Sequence, residues 1–122
     1  MAIADRRLAL LFRVFIVLLV LSTLNALRIF HFMPERFDAA FPGAVGFLRS
    51  AFLTASYIGL IALFGLLLFK RWALLTFLTV SLAAIVLDVL VDAPMLHQVA
   101  VVVSASIAAA FSWRLRSRFS VH

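Results

Sequence analysis

Four apolar runs of about twenty residues, separated at all three junctions by charged or turn-forming residues, limit what this chain can fold into more than any other feature. They cover residues 8–30, 47–69, 72–91 and 95–113. A helix rises about 1.5 Å per residue, so each run matches a hydrocarbon core of roughly 30 Å. Lipid offers the backbone no hydrogen-bond partners, which leaves the helix as the spanning structure for runs of this length and excludes an open sheet. The sequence predicts an all-α integral membrane four-helix bundle, with residues 1–122 forming a single transmembrane domain.

Composition agrees. Charged residues make up 13% of the chain and hydrophobic ones 66%, whereas a soluble domain carries about 25% charged residues. The net charge of +6 does not point to nucleic acid, because no soluble face remains on which a basic patch could be displayed. Cysteine is absent, which removes disulfides, thiol redox chemistry and thiolate metal sites. Arg6 and Arg7 before an apolar stretch resemble the start of a signal peptide. Arg13 interrupts that stretch, its length exceeds a signal core, and Leu24 spoils the small-x-small pattern ending at Ala26, so a retained first helix is expected.

The positive charges set an orientation. Eight of the eleven Lys and Arg fall at three points: Arg6, Arg7 and Arg13; Lys70 and Arg71; Arg114, Arg116 and Arg118. With four spans, these points share one side. The opposite side holds Arg28, Arg36 and Arg49 among Glu35, Asp38, Asp88 and Asp92. The positive-inside rule then makes both termini cytoplasmic and the location a bacterial-type inner (plasma) membrane. Trp72 and Trp113 fall at the cytoplasmic ends of their spans, as interfacial aromatics do. The Arg114-x-Arg116-x-Arg118 tail reads as a topology anchor in contact with anionic lipid, and His122 as a solvated tail residue.

The longest connection, 31–46, opens with Pro34-Glu35-Arg36, continues through Phe37, Ala40 and Phe41, and stops at Pro42-Gly43. This predicts about two turns of interfacial helix that bury their phenylalanines in the outer membrane surface, with a lid over the bundle as the alternative.

Small residues mark the expected helix seams, because membrane helices associate by close packing. They are Ala51, Ala55, Gly59, Ala62 and Gly65 in the second span, Ser81 and Ala84 in the third, and Ser104, Ala105, Ala108 and Ala109 in the fourth. Four helices are expected to enclose little volume, so a large cavity or pore would require a homo-oligomer or a partner.

The candidate intramembrane polar site is Asn25, Arg28, Asp88 and Asp92. Asp88 comes sixteen residues after Trp72, roughly 24 Å along the helix and short of the outer boundary. An ionised carboxylate at that depth needs a partner, a proton or a wet crevice. Arg28 is the expected partner of Asp88 or Asp92, holding spans one and three together, with Arg49 the other option. Asp92 in Asp92-Ala93-Pro94 also reads as a cap on the fourth span. His31 and His97 are weaker candidates, since two imidazoles at the outer side could hold a haem or join the carboxylates around a metal.

No phosphate-binding loop, nucleophile elbow or HExxH motif occurs, so no catalytic residue, no metal and no cofactor is assigned. The expected function is a small non-catalytic structural or accessory subunit of a membrane complex. Its partners would be the lipid bilayer and either further copies or other membrane subunits, with no nucleic acid. The alternatives are a small oligomeric proton-linked transporter or channel using Asp88, and a quinone- or haem-binding redox subunit in which His31 and His97 converge.

Overall fold

The computed structural model describes residues 2–119; His122 lies outside them. Five α-helices follow one another: α1 (Ala2–Phe32), α2 (Pro34–Ala40), α3 (Gly46–Leu67), α4 (Arg71–Leu90) and α5 (Met95–Arg114), with a 3-10 turn at Arg116–Arg118. Four of them, α1, α3, α4 and α5, are long and apolar enough to cross a membrane. Their outer faces carry exposed Leu18, Leu21, Ile61, Leu75, Leu82, Val86 and Val103, a surface that suits lipid and not water.

Helix boundaries follow from local chemistry. Met33, the residue before Pro34, leaves helical geometry at φ −134°, because the proline ring crowds the helical region for its predecessor. Pro34 then starts α2 from the first helical position, where it loses no hydrogen bond.

The two tight reversals share one device. At the end of α3, Lys70 N–H donates to Gly65 O at 3.0 Å and Phe69 N–H to Leu66 O at 3.0 Å. At the end of α4, Ala93 N–H donates to Asp88 O at 2.8 Å and Asp92 N–H to Val89 O at 3.4 Å. Each is a Schellman closure, with Phe69 at φ 54° and Asp92 at φ 56° in the left-handed position usually held by glycine. Asp92 therefore shapes a turn. The cap expected from Asp92 is not formed: Pro94 is the residue preceding α5, and no side chain caps that helix.

Packing runs in the order α1, α3, α4, α5. The largest interface joins α3 to α4, α1 lies on α3, α5 lies on α4, and α1 meets α5 over a small area. Gly65 allows the closest approach, since a Cβ there would sit 2.5 Å from Ala73 Cβ and 2.9 Å from the Trp72 ring.

Two apolar clusters close the ends of the bundle. At the basic end, Phe12, Ile16, Leu66, Phe69, Leu115 and Phe119 interlock, and Arg118 reaches Asp5 at 2.7 Å. At the opposite end, termed here the loop end, Phe37, Ala44, Val91 and Ala93 form the second cluster with Phe30, Phe41 and Phe52 around it. Phe37 is only 3% exposed. Its ring packs on Phe30, Phe41 and Phe52 with centroids 4.7, 5.0 and 5.6 Å away. The short helix thus exists where it was expected, but it turns Phe37 into the bundle instead of into the membrane surface.

Candidate functional site

Between the two clusters lies a cavity of about 510 Å³, walled by all five helices. This corrects the expectation that four helices enclose little volume. Small residues line it, among them five of those expected at packing seams: Ala55 and Gly59 on α3, Ser81 and Ala84 on α4, and Ser104 on α5, beside Ala100. Over the loop-end half of the bundle, these short side chains leave space unfilled. Phe37, Ala40 and Phe41 of α2 contribute to its wall from the loop end.

The polar centre of this region is Asp88. It occupies the last turn of α4 and is 0% exposed. The Schellman turn through Asp92 reverses the chain, so that the first turn of α5 brings His97 alongside. His97 Nδ1 and Asp88 Oδ2 are 2.8 Å apart. Asp88 Oδ1 is buried and has no hydrogen-bond partner among the described residues. A buried orphan acceptor is uncommon in folded proteins and calls for an explanation.

His97 itself lines the cavity, whereas Asp88 stands behind it. The imidazole meets Phe41 edge-on at a centroid distance of 5.1 Å and 87°, and Phe52 at 6.1 Å. With Nδ1 held by Asp88, Nε2 is the ring nitrogen left for a further contact.

The other sequence candidates go elsewhere. Arg28 does not pair with Asp88 or Asp92. Its Nε and Nη2 donate to Asn25 Oδ1 at 3.3 and 2.9 Å on the same helix. The reason is topological: α1 lies against α3, on the far side of the bundle order from α4. Arg49, the second option for Asp88, bonds Asp38 at 2.6 Å. Asn25 lines the cavity, and Asp92 is exposed in its turn. His31 Nε2 lies 2.8 Å from the Tyr57 hydroxyl. The two histidines thus have different hydrogen-bond partners, Tyr57 and Asp88.

Phe52 and Tyr57 were not singled out from sequence, and Phe41 and Arg49 take contacts other than those expected. Phe41 and Phe52 flank His97, Tyr57 holds His31, and Arg49 lies over Phe30 and Phe37 at 4.6 and 5.1 Å from their ring centroids. The only sequence signal for the cavity was the four-residue spacing of small side chains, which marks a close approach and a void equally well.

Fold and exterior together define a small multi-pass membrane protein with an internal cavity. The chain matches no family model, and no curated protein or solved structure is similar to it.

Proposed function

We propose that this chain is a small non-catalytic inner-membrane protein, with both termini cytoplasmic, that serves as an accessory component by holding a lipophilic small molecule inside its bundle. The observation that carries this reading is the 510 Å³ cavity. Its volume falls within the roughly 300–1,000 Å³ of small-molecule sites, which are apolar with a few placed polar groups. Here the apolar walls include Leu63, Phe77 and Val80, and the polar groups include His97, Asn25 and Arg36, with hydroxyls such as Ser81 and Ser104.

The proton-linked transporter reading draws on buried Asp88. It is less well supported, because a transport path needs access from both faces and the basic end is closed by Phe12, Ile16, Leu66 and Leu115, each 0% exposed. Holding a molecule requires one mouth only.

Filling the cavity tests the proposal. Ala84→Phe places a large ring on its wall, and it should abolish binding of an apolar probe such as decylbenzene by purified protein while the chain remains folded. Equal binding by wild type and Ala84→Phe would refute a site in this cavity. Orientation has a separate test, helped by the absence of native cysteine. A single Ala39→Cys should react with a membrane-impermeant maleimide in spheroplasts, and a single Ser117→Cys should react only after lysis. The reverse pattern would overturn the cytoplasmic placement of the termini.

A further inference from the structure

We propose that the occupant of the cavity is an amphiphile whose head is a planar ring bearing oxygen, of the hydroquinone or quinone class. Its ring oxygen would meet His97 Nε2, and its tail would run toward the middle of the bundle. This inference rests on the cavity reading above and adds the chemistry of the ligand.

Three observations carry it. First, His97 is a built recognition group. A completely buried carboxylate holds its Nδ1, an arrangement that fixes the ring orientation and directs the other nitrogen outward. With Nδ1 engaged by Asp88, Nε2 is the free hydrogen-bonding atom of the ring. An oxygen function fits it: a hydroxyl can donate or accept, and a carbonyl can accept.

Second, the space beside His97 is bounded by aromatic rings. Phe41 and Phe52 lie against the imidazole at 5.1 and 6.1 Å, and Phe37 completes the group 5.0 Å from Phe41. A flat ring can join such a group through offset or edge-to-face contacts, and Arg36 on the same wall adds a donor for an oxygen function.

Third, the cavity is long. On α1 its lining extends from Ile29 to Leu19, about 15 Å of helix. The inner end is apolar, at Leu19, Leu63 and Phe77.

Entry is from lipid. Asn25 and Ala26 on α1 and Ala100 on α5 line the cavity and are also exposed. The small α1–α5 interface is gathered where Phe12 and Phe15 meet Phe111, at the basic end. The cavity therefore opens sideways between α1 and α5 near the loop end, where a membrane-dissolved amphiphile can insert tail or ring.

The test uses the full chain in dodecylmaltoside micelles, titrated with decylhydroquinone, decylbenzene and decan-1-ol and read by native mass spectrometry. Decylhydroquinone should bind at least tenfold more tightly than either control. In His97→Phe, and in His97→Gln should the first variant fail to fold, the ratio of hydroquinone to decylbenzene affinity should fall to about one. Wild-type protein that binds decylbenzene as well as decylhydroquinone overturns the head-group assignment and leaves the cavity function standing. Decan-1-ol binding as tightly as the hydroquinone overturns the ring. If none of the three binds, the cavity function and this inference fail together.

Discussion

Replacing His97 by leucine would strip Asp88 of the side-chain hydrogen bond that accompanies its burial. Asp88 is 0% exposed and His97 is 37% exposed, and this difference makes the two sides of the pair unequal. In His97→Leu, both carboxylate oxygens are left without partners in a site water does not reach. Leaving a buried polar group without its partner costs about 1–3 kcal/mol and more for a charged one, so about 3 is expected here. In Asp88→Ala the buried acceptors disappear, and the abandoned imidazole is less enclosed than the carboxylate was, so the cost should be about 1 kcal/mol. The double variant should cost about 1 as well, since His97→Leu then orphans nothing, which implies a coupling of about 3 kcal/mol. Interhelical polar contacts in membrane proteins average only about 0.6 kcal/mol in such cycles. The larger value expected here comes from the complete enclosure of Asp88. Equilibrium SDS titration in mixed dodecylmaltoside micelles, followed by far-UV circular dichroism, measures all four corners of the cycle. A coupling below about 1 kcal/mol would refute the account of Asp88 as a desolvated group held by His97.

Three further substitutions probe the parts that shape the cavity. Gly43 N–H donates to Val91 O at 2.9 Å, and a Cβ at Gly43 would lie 2.7 Å from Val91 Cα. Gly43→Ala should therefore cost about 1–3 kcal/mol and increase chymotrypsin cleavage at Phe37 and Phe41; unchanged cleavage would show that the two loops separate freely. Gly65→Ala forces α3 and α4 apart at Ala73, and a loss of about 1–3 kcal/mol in the same SDS titration is expected; a neutral result would contradict the close approach. Arg49 bonds the 60%-exposed Asp38 and also covers Phe30 and Phe37. Asp38→Ala should cost no more than about 1 kcal/mol, as exposed ion pairs do, and Arg49→Ala about 1 more through the lost ring contacts; equal losses would assign all of the energy to the ion pair.

Much of the architecture was legible in the order of residues. Span positions agree with the helices to within a few residues at every end except the start of α1, which begins at Ala2, and Pro34 marked the start of α2. These features are local: run length, proline geometry and turn chemistry act over a few neighbouring residues. The candidate site was only partly legible. Asp88 stood out because its depth conflicts with its charge, but its partner did not. Arg28 lies at a matching depth on α1, yet depth says nothing about which helices are neighbours. His97 was a weak candidate because its value depends on a reversal that brings residues nine apart in sequence together. Asp92 was read as a cap because Asp before Ala-Pro commonly is one; its positive φ appears only with the turn.

The sequence alone determined that this chain forms membrane-spanning helices, since every apolar run must satisfy its own backbone and the length of each run matches the bilayer. Tertiary structure decided what those helices enclose. Small side chains at four-residue intervals permit either a close seam or an empty wall. Near Gly65 and Ala73 the helices touch, whereas around Ala84 and Ser104 they surround a cavity closed from the loop end by α2. The difference depends on which helices are adjacent and how far they diverge, and those are properties of the whole bundle, not of any one span.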